Sequence, residues 1–274
     1  MGKKILQIQN LNVSFQQYDR IMGQTIQPRI RHINLNVHEG EIVAIFGESG
    51  SGKSLLAHTC LALLPQNAIV QGSVSYFGQI QTSDSLAKLR GNELSFVPQS
   101  LASLNPLLKI KKQVDRSVYY NNERMAMLKG QLKQLGLSEE VLNKYPGQLS
   151  GGMARKVLVA ISLVNQPKFI IADEPTPGMD SIGLDYVVNF VKDRRQKGVG
   201  AMIISHDIQT VLRVADRIAI FYQGTIVEIA KPDQFVGQGE QLIHPYTKAL
   251  WKSLPENGFQ LIKEDLLVEG GENK

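Results

Sequence analysis

The stretch "GESGSGKS", residues 47–54, constrains this chain more than any other. It fits the spacing G-x-x-x-x-G-K-[S/T], in which glycines let the backbone curl so that its N–H groups face a phosphate. The context matches the chemistry. "EIVAIF" (41–46) is almost wholly apolar and ends at a glycine, which predicts a strand buried on both faces. Lys53 to about Leu64 reads as a helix stopped by Pro65, so its positive end points at the same anion. Lys53 reaches β- and γ-phosphates in such a loop, and the Ser54 hydroxyl suits Mg²⁺. The plainer alternative is a glycine-rich turn that binds nothing; strand before and helix after favour the phosphate.

A strand–loop–helix unit of this kind needs a parallel sheet around it, and the rest of the chain supplies one. "KFIIAD" and "AMIIS" are short buried strands, each followed by a helical pattern: "IGLDYVVNFVKDRRQKG", closed by Gly198, precedes the second, and "DIQTVLRVA" follows it. "RIAIFYQGTIVEIA" is a hairpin turning at Gln223–Gly224, and "GSVSYFGQ" is a further strand pair. Near the start, Leu11, Val13 and Phe15 alternate, as do Ile33, Leu35 and Val37; "QQYDRIMGQTIQPR" between them reads as a loop or hairpin excursion. From roughly 100 to 150, β-branched residues thin out and apolar positions fall at helical spacing, which predicts a helical subdomain. "MARKVLVAISLVNQ" is helical, the tail from Pro232 is helical in pieces, and "VEGGENK" reads as frayed.

Two carboxylates, Asp173 and Glu174, end the strand "KFIIAD", at the edge where open α/β sheets bind ligands. Asp173 suits a Mg²⁺ contact and Glu174 can polarise a water for attack on a γ-phosphate. His206, ending "IISHD", and Gln99, ending "LSFVPQS", occupy the same kind of position. The histidine can hydrogen-bond the γ-phosphate, and the Gln99 side-chain oxygen can reach Mg²⁺ or the water. Taken singly, each has a structural reading too: an acidic turn, a core histidine, a loop glutamine. A second glycine turn, "QLSGGMARK" (148–156), opens a helix and so forms another anion site at Ser150, Gly151 and Gly152.

In order, "GESGSGKS", Gln99, "LSGGM", "IIADEP" and His206 resemble the ATP-binding subunit of ABC transporters, a likeness that runs from residue 47 to 206. The resemblance implies an α/β P-loop NTPase cassette: an N-terminal antiparallel β subdomain, a parallel-sheet core and an inserted helical subdomain. Residues 1–274 then form one ATP-binding domain, with a short C-terminal extension from about 232. It implies ATP and Mg²⁺ as ligands. The phosphate stretch is Gly47, Glu48, Ser49, Gly50, Ser51, Gly52, Lys53 and Ser54, the catalytic set is Glu174, His206 and Gln99, and the metal contacts are Ser54, Gln99 and Asp173. By the same resemblance Phe15 is the aromatic candidate to stack on adenine, with an ordinary core phenylalanine as the equal alternative. Asp180 lies where the family has a small-residue–Leu–Asp turn. Here "PTPGMDS" sets Pro177-Gly178-Met179 before it, which changes the loop's backbone. Two glycine loops on one chain then have a common explanation, since Ser150, Gly151 and Gly152 would hold the γ-phosphate on a second ATPase subunit.

"SLNPLLKI" (103–110) and "HPYTKALWKSLP" (244–255), with Met153 where the family commonly has Gln, look like the peptide/nickel importer subfamily. Many peptide-importing members have cysteine-rich tails suited to an iron–sulfur cluster. Cys60 is the sole cysteine here, so this tail leans to the nickel or metal–metallophore branch, including staphylopine-type uptake, with an oligopeptide or dipeptide importer as the alternative. The implied partners are a second, related ATPase, two transmembrane permeases and an extracytoplasmic solute-binding protein. The implied place is the cytoplasmic face of the membrane.

Composition is compatible. The net charge of +5 could serve nucleic acid, a membrane face or nucleotide phosphates, and the lack of any run of five consecutive Lys/Arg weakens the first, a soluble ABC ATPase acting on nucleic acid being the less favoured alternative. Soluble relatives that act on nucleic acid carry long coiled coils, zinc-binding cysteines or duplicated cassettes, none of which is visible. A binding module with dead chemistry would not keep both Lys53 and Glu174. No stretch of 18 uncharged apolar residues exists, and "MGKKILQIQN" lacks the apolar core of a secretion signal. A lone cysteine on an apolar helical face fits a reducing compartment and a buried, inert thiol.

Overall fold

A computed structural model describes residues 2–19, 23–114, 121–175 and 181–257. Two long strands open the chain, β1 (Lys4–Asp19) and β2 (Gly23–His38), paired as an antiparallel hairpin. Leu6, Ile8, Leu11 and Val13 face the core from β1, and Ile30, Ile33, Leu35 and Val37 from β2. The polar stretch between the two apolar runs is largely ladder: Gln16 and Gln17 pair with Ile26 and Thr25. After β3 (Ile42–Phe46) and helix α1 (Lys53–Cys60) come β4 (Ala68–Tyr76) and β5 (Gln79–Ile80). Phe77 and Gly78 join these two strands with φ of 55° and 81°, the positive pair that a two-residue hairpin turn requires. The antiparallel sheet has the order β2-β1-β4-β5.

Helix α1 is shorter than expected. It ends at Cys60, not near Leu64, because Ala62 takes a left-handed φ of 50°. The N–H of Ala62 returns to the Thr59 carbonyl (3.0 Å) and that of Leu63 to His58 (2.8 Å), the crossed pair that closes a helix in a left-handed residue. Arg90 covers the freed Leu61 and Ala62 carbonyls with its guanidinium. Arg90 follows helix α2 (Ser83–Leu89) and leads into β6 (Leu94–Val97).

The segment expected to be helical holds short pieces: 3₁₀ turns at Leu101–Ser103, Glu139–Asn143 and Pro146–Gln148, with α3 (Ile110–Gln113) and α4 (Asn122–Gln134) among them. Then follow α5 (Gly151–Leu163), β7 (Phe169–Asp173), α6 (Ser181–Asp193), β8 (Gly200–Ser205) and α7 (Ile208–Val214). The chain continues through β9 (Arg217–Tyr222), β10 (Thr225–Ala230) and α8 (Pro245–Lys252). Gly198, at φ 79°, closes a 3₁₀ turn (Arg195–Lys197) that follows α6 rather than α6 itself.

The second sheet has the order β10-β9-β3-β8-β7-β6, parallel throughout except for β10. Every residue of β3, β7 and β8 is buried. Alternate residues serve opposite faces. Val43, Ile45, Ile171 and Ile204 pack with α1 and the antiparallel sheet, whereas Ile42, Ile170, Ala172 and Ile203 pack with α5 and α6. Each such Val or Ile side chain contributes about 1.5–3 kcal/mol of burial, which fixes the strands and so the row of their carboxyl ends. A third cluster joins Phe46 and Ile220 to Tyr246 and Trp251 of α8. The Tyr222 and Tyr246 rings stack at 3.9 Å, and the Glu228 carboxylate accepts the N–H groups of Ile243 (2.8 Å) and His244 (2.9 Å) where α8 begins.

At the other end of the sheet, Glu41 accepts two bonds from Arg217 (2.6 and 3.1 Å) and one from the His38 N–H (2.7 Å). Burial alone would raise its pKa. Arg217 and His38 outweigh that and hold the carboxyl below the ordinary glutamate value.

Candidate active site

The loop after β3 is shaped by close approaches that a side chain would prevent. A Cβ on Gly47 would lie 2.1 Å from the Phe221 carbonyl oxygen. Gly50 and Gly52 have φ of 80° and 110°, open only to glycine at low cost. The Gly224 N–H bonds to the Ser51 carbonyl (3.2 Å) and the Arg31 N–H to that of Gly224 (2.8 Å), so the β9–β10 turn buttresses the loop. Glu48, Ser49 and Gly50 are exposed. No side chain caps α1, which leaves its first N–H groups for an anion. Lys53 is buried, and its ammonium donates to the carbonyls of Gly47 (2.9 Å) and Glu48 (2.6 Å). Burial pulls its pKa down, and the negative fields of Glu174, Asp173 and Glu48 pull back.

The next strands bring the rest. Ser54 Oγ donates to Asp173 Oδ1 (3.1 Å). Burial raises the Asp173 pKa and Glu174 adds to the rise, while the Ser54 bond, His58 and Lys53 oppose it. A hydroxyl and a carboxylate oxygen side by side, open toward the loop, are the hard donors that Mg²⁺ takes when substrate phosphates complete its shell. Glu174 has a left-handed φ of 41°, and its N–H bonds to the Ile204 carbonyl (2.9 Å). This turn delivers the carboxylate between two partners. Gln99 Nε2 donates to Oε2 (2.6 Å) and His206 Nδ1 lies 2.9 Å from Oε1. The His206 side chain is 57% exposed, so its other nitrogen is open to a ligand. Lys53, Ser54, Gln99, Asp173, Glu174 and His206 thus form one connected cluster over the ends of β3, β6, β7 and β8.

The second glycine turn stands apart from these bonds. Among the described residues, the hydrogen bonds of Ser150 stay within its own helix: its Oγ accepts from the Met153 N–H (3.2 Å) and its carbonyl from Ala154. A Cβ on Gly151 would meet nothing within 4 Å, so this helix start is open. Phe15 is half-buried on β1, opposite Gln27 and Ala68, and packs against the core. Asp180 and the Pro177-Gly178-Met179 segment lie outside the described residues.

One residue was not anticipated from sequence. Arg155 is 6% exposed on α5, and its guanidinium donates to the Pro98 carbonyl (2.7 Å), immediately before Gln99. Its Nε is buried without a partner. The available signal was a charge among Ala154, Val157, Leu158 and Val159, on the apolar side of an otherwise regular helix.

A family model described as ABC transporter matches residues 30–177, more than half of the chain. The chain belongs to the ABC transporter family. Its ATPase cassette fold is that of solved relatives. A dimeric cassette, MJ0796, superimposes with a TM-score of 0.69 at 31% identity, covering 83% of this chain and 99% of that one. A post-hydrolysis dimer of the same cassette bound to ADP and Pi also gives 0.69, at 28% identity with the same coverage. Among curated proteins, the oligopeptide transport ATP-binding protein OppD of Lactococcus lactis subsp. cremoris (strain SK11) is 35% identical over 98% of this chain and 81% of its own length. The dipeptide transport ATP-binding protein DppD of Bacillus subtilis (strain 168) is 33% identical over 96% and 81%. The glutathione import ATP-binding protein GsiA of Escherichia coli O6:H1 is 31% identical over 93% of this chain and 42% of that protein. As an ABC ATPase this chain hydrolyses ATP to power transport. Among the described residues no helix is long and apolar enough to cross a membrane.

Proposed function

We propose that this chain is the ATP-hydrolysing subunit of an import complex for peptide-like solutes. One observation supports the chemistry above the others: the Glu174 carboxylate is held between Gln99 and His206, beside the Lys53–Ser54–Asp173 group. ATP lies with its phosphates in the 47–54 loop, where Lys53 exchanges carbonyl partners for phosphate oxygens. Ser54 and Asp173, with Gln99, would hold Mg²⁺, which supplies charge neutralisation on the phosphates. Glu174 orients the attacking water and accepts its proton as the water oxygen bonds to the γ-phosphorus and the bond from that phosphorus to the ADP oxygen breaks. With Nδ1 facing Glu174, the exposed Nε2 of His206 is the nitrogen that would meet a γ-phosphate oxygen.

The open turn at Ser150, Gly151 and Gly152 would face the γ-phosphate on a second, related ATPase subunit, so the competent site is shared between two chains. Phe15 would stack on adenine, and Asp180 would lie at the subunit contact. Two permeases would dock on the groove beside Gln99. That groove has a volume of about 410 Å³ and is lined by Phe96, Pro98, Leu104 and Leu108 among others. The complex then sits peripherally on the cytoplasmic face, fed by an extracytoplasmic binding protein. We take 1–274 as one cassette, with the 100–150 segment contacting the membrane subunits and a short extension from about 232.

The oligopeptide, dipeptide and glutathione proteins among its relatives favour a peptide-like solute. Nickel or a metal–metallophore complex is the second reading, and rests on the cysteine-free tail alone. Uptake of a labelled dipeptide against labelled nickel by the reconstituted complex separates the two. The shared site is tested by Gly151→Asp. It leaves ATP binding to the isolated chain within about twofold and abolishes hydrolysis in the assembled transporter. Lost binding in the isolated chain would refute the assignment.

A further inference from the structure

We propose that Tyr246 is a positioning residue for the phosphate loop: its hydroxyl donates to the Glu48 carboxylate from behind while nucleotide fills the loop. This rests on the reading of residues 47–54 as the ATP phosphate site. The case begins with an unmet group. Tyr246 is fully buried, and its hydroxyl makes no hydrogen bond of good geometry. An orphaned hydroxyl costs about 1–3 kcal/mol, and a phenylalanine would fill the same space without that cost. Packing alone therefore does not account for the oxygen.

Its surroundings say what the oxygen faces. The ring stacks on Tyr222, whose neighbour Phe221 presses its carbonyl against Gly47. Phe46, the last residue before the loop, belongs to the same apolar cluster. After burial, the largest influence on the phenol is Glu48, through its carboxylate and its main chain, with Tyr222 a smaller one. Burial first, and the Glu48 charge next, raise the phenol's pKa, so it stays protonated and able to donate. The helix that carries it is pinned: Glu228 holds the N–H groups of Ile243 and His244, His244 Nδ1 accepts from the Tyr246 N–H (3.1 Å), and Trp251 Nε1 donates to Gly237 (3.1 Å).

Glu48 is tied from inside the loop, because Lys53 donates to its carbonyl at 2.6 Å. A bound phosphate draws that ammonium away. Residue 48 then needs a hold on its other side, and Tyr246 is the buried donor there. The C-terminal helix thus acts on ATP affinity without touching ATP.

The test is Tyr246→Phe in the full chain, alone and with Glu48→Ala. Mg-ATP binding to the isolated chain weakens about fivefold, the equivalent of one hydrogen bond. In the assembled transporter KM for ATP rises by the same factor with kcat nearly unchanged. The melting temperature without nucleotide stays constant or rises, since an unpaired hydroxyl has been removed. In the Glu48→Ala background the phenylalanine costs nothing further. Unchanged ATP affinity, a fall in the nucleotide-free melting temperature, or full additivity with Glu48→Ala would each overturn the proposal. Wild-type chain that fails to bind Mg-ATP would instead overturn the loop assignment beneath it.

Discussion

Replacing Glu174 by Gln keeps the side chain's shape and removes its charge. In the native site each carboxylate oxygen has a donor, Gln99 at 2.6 Å and His206 at 2.9 Å. An amide offers one acceptor oxygen, so one of the two donors ends up facing an NH₂ group. A charge-assisted bond of about 1.5–3 kcal/mol is lost. Against that, the like charge beside Asp173 disappears, and Asp173, still raised chiefly by burial, titrates nearer its ordinary value. These effects oppose each other, so the fold changes by no more than about 1–2 kcal/mol. Activity does not share in the compensation, because an amide does not accept the water's proton. Loss of a positioned general base lowers turnover about 10²–10⁴-fold, or roughly 3–5 kcal/mol of barrier. The measurement is steady-state ATP turnover of the assembled transporter, with Mg-ATP binding to the isolated chain as control. Turnover falls by at least a hundredfold and binding stays within about threefold. Turnover within threefold of wild type would show that another group activates the water.

Gly47→Ala drives a methyl group to 2.1 Å from the Phe221 carbonyl oxygen, a backbone atom that cannot step aside. The chain loses about 1–3 kcal/mol of stability in denaturant titrations, and ATP binding falls at least tenfold. Glu41 gives the chain an acid-sensitive share of stability. Its folded pKa is depressed below the ordinary 4.5, so the contribution is present above that value and lost as pH falls through the folded one. Glu41→Gln therefore lowers the melting temperature most at neutral pH, and the gap to wild type closes in strong acid. A gap that widens in acid would reverse the sign assigned here.

Several elements were legible because local chemistry alone decides them. "EIVAIF", "KFIIAD" and "AMIIS" are continuous apolar runs of strand length bounded by polar or glycine residues, the pattern of a strand covered on both faces. The Gln223–Gly224 and Phe77–Gly78 turns announce themselves through glycine. The polar stretch from Gln16 left loop and hairpin both open, since its pairing is made by the backbone, and the structure shows the hairpin. The early end of α1 was hidden because the left-handed closing residue is Ala62, where a glycine would have been the signal. In the site, each residue type could be read from its place at a strand end. That Gln99 meets Glu174, and Glu174 meets His206, depends on β6, β7 and β8 being neighbours, and strand order leaves no periodicity in a sequence. Arg155 escaped because its partner is a backbone carbonyl far along the chain.

The support of the phosphate loop also sets an order of events during synthesis. Residues 47–54 are made early, but Gly47 is walled by Phe221 and Ser51 is bonded to Gly224. At translation rates of about 5–20 residues per second, on the order of 10–30 s separate the loop from its buttress. A nascent chain therefore carries its nucleotide motif for most of its synthesis without the scaffold that shapes it. The cell meets an ATP-binding subunit only when nearly all of the chain has been made.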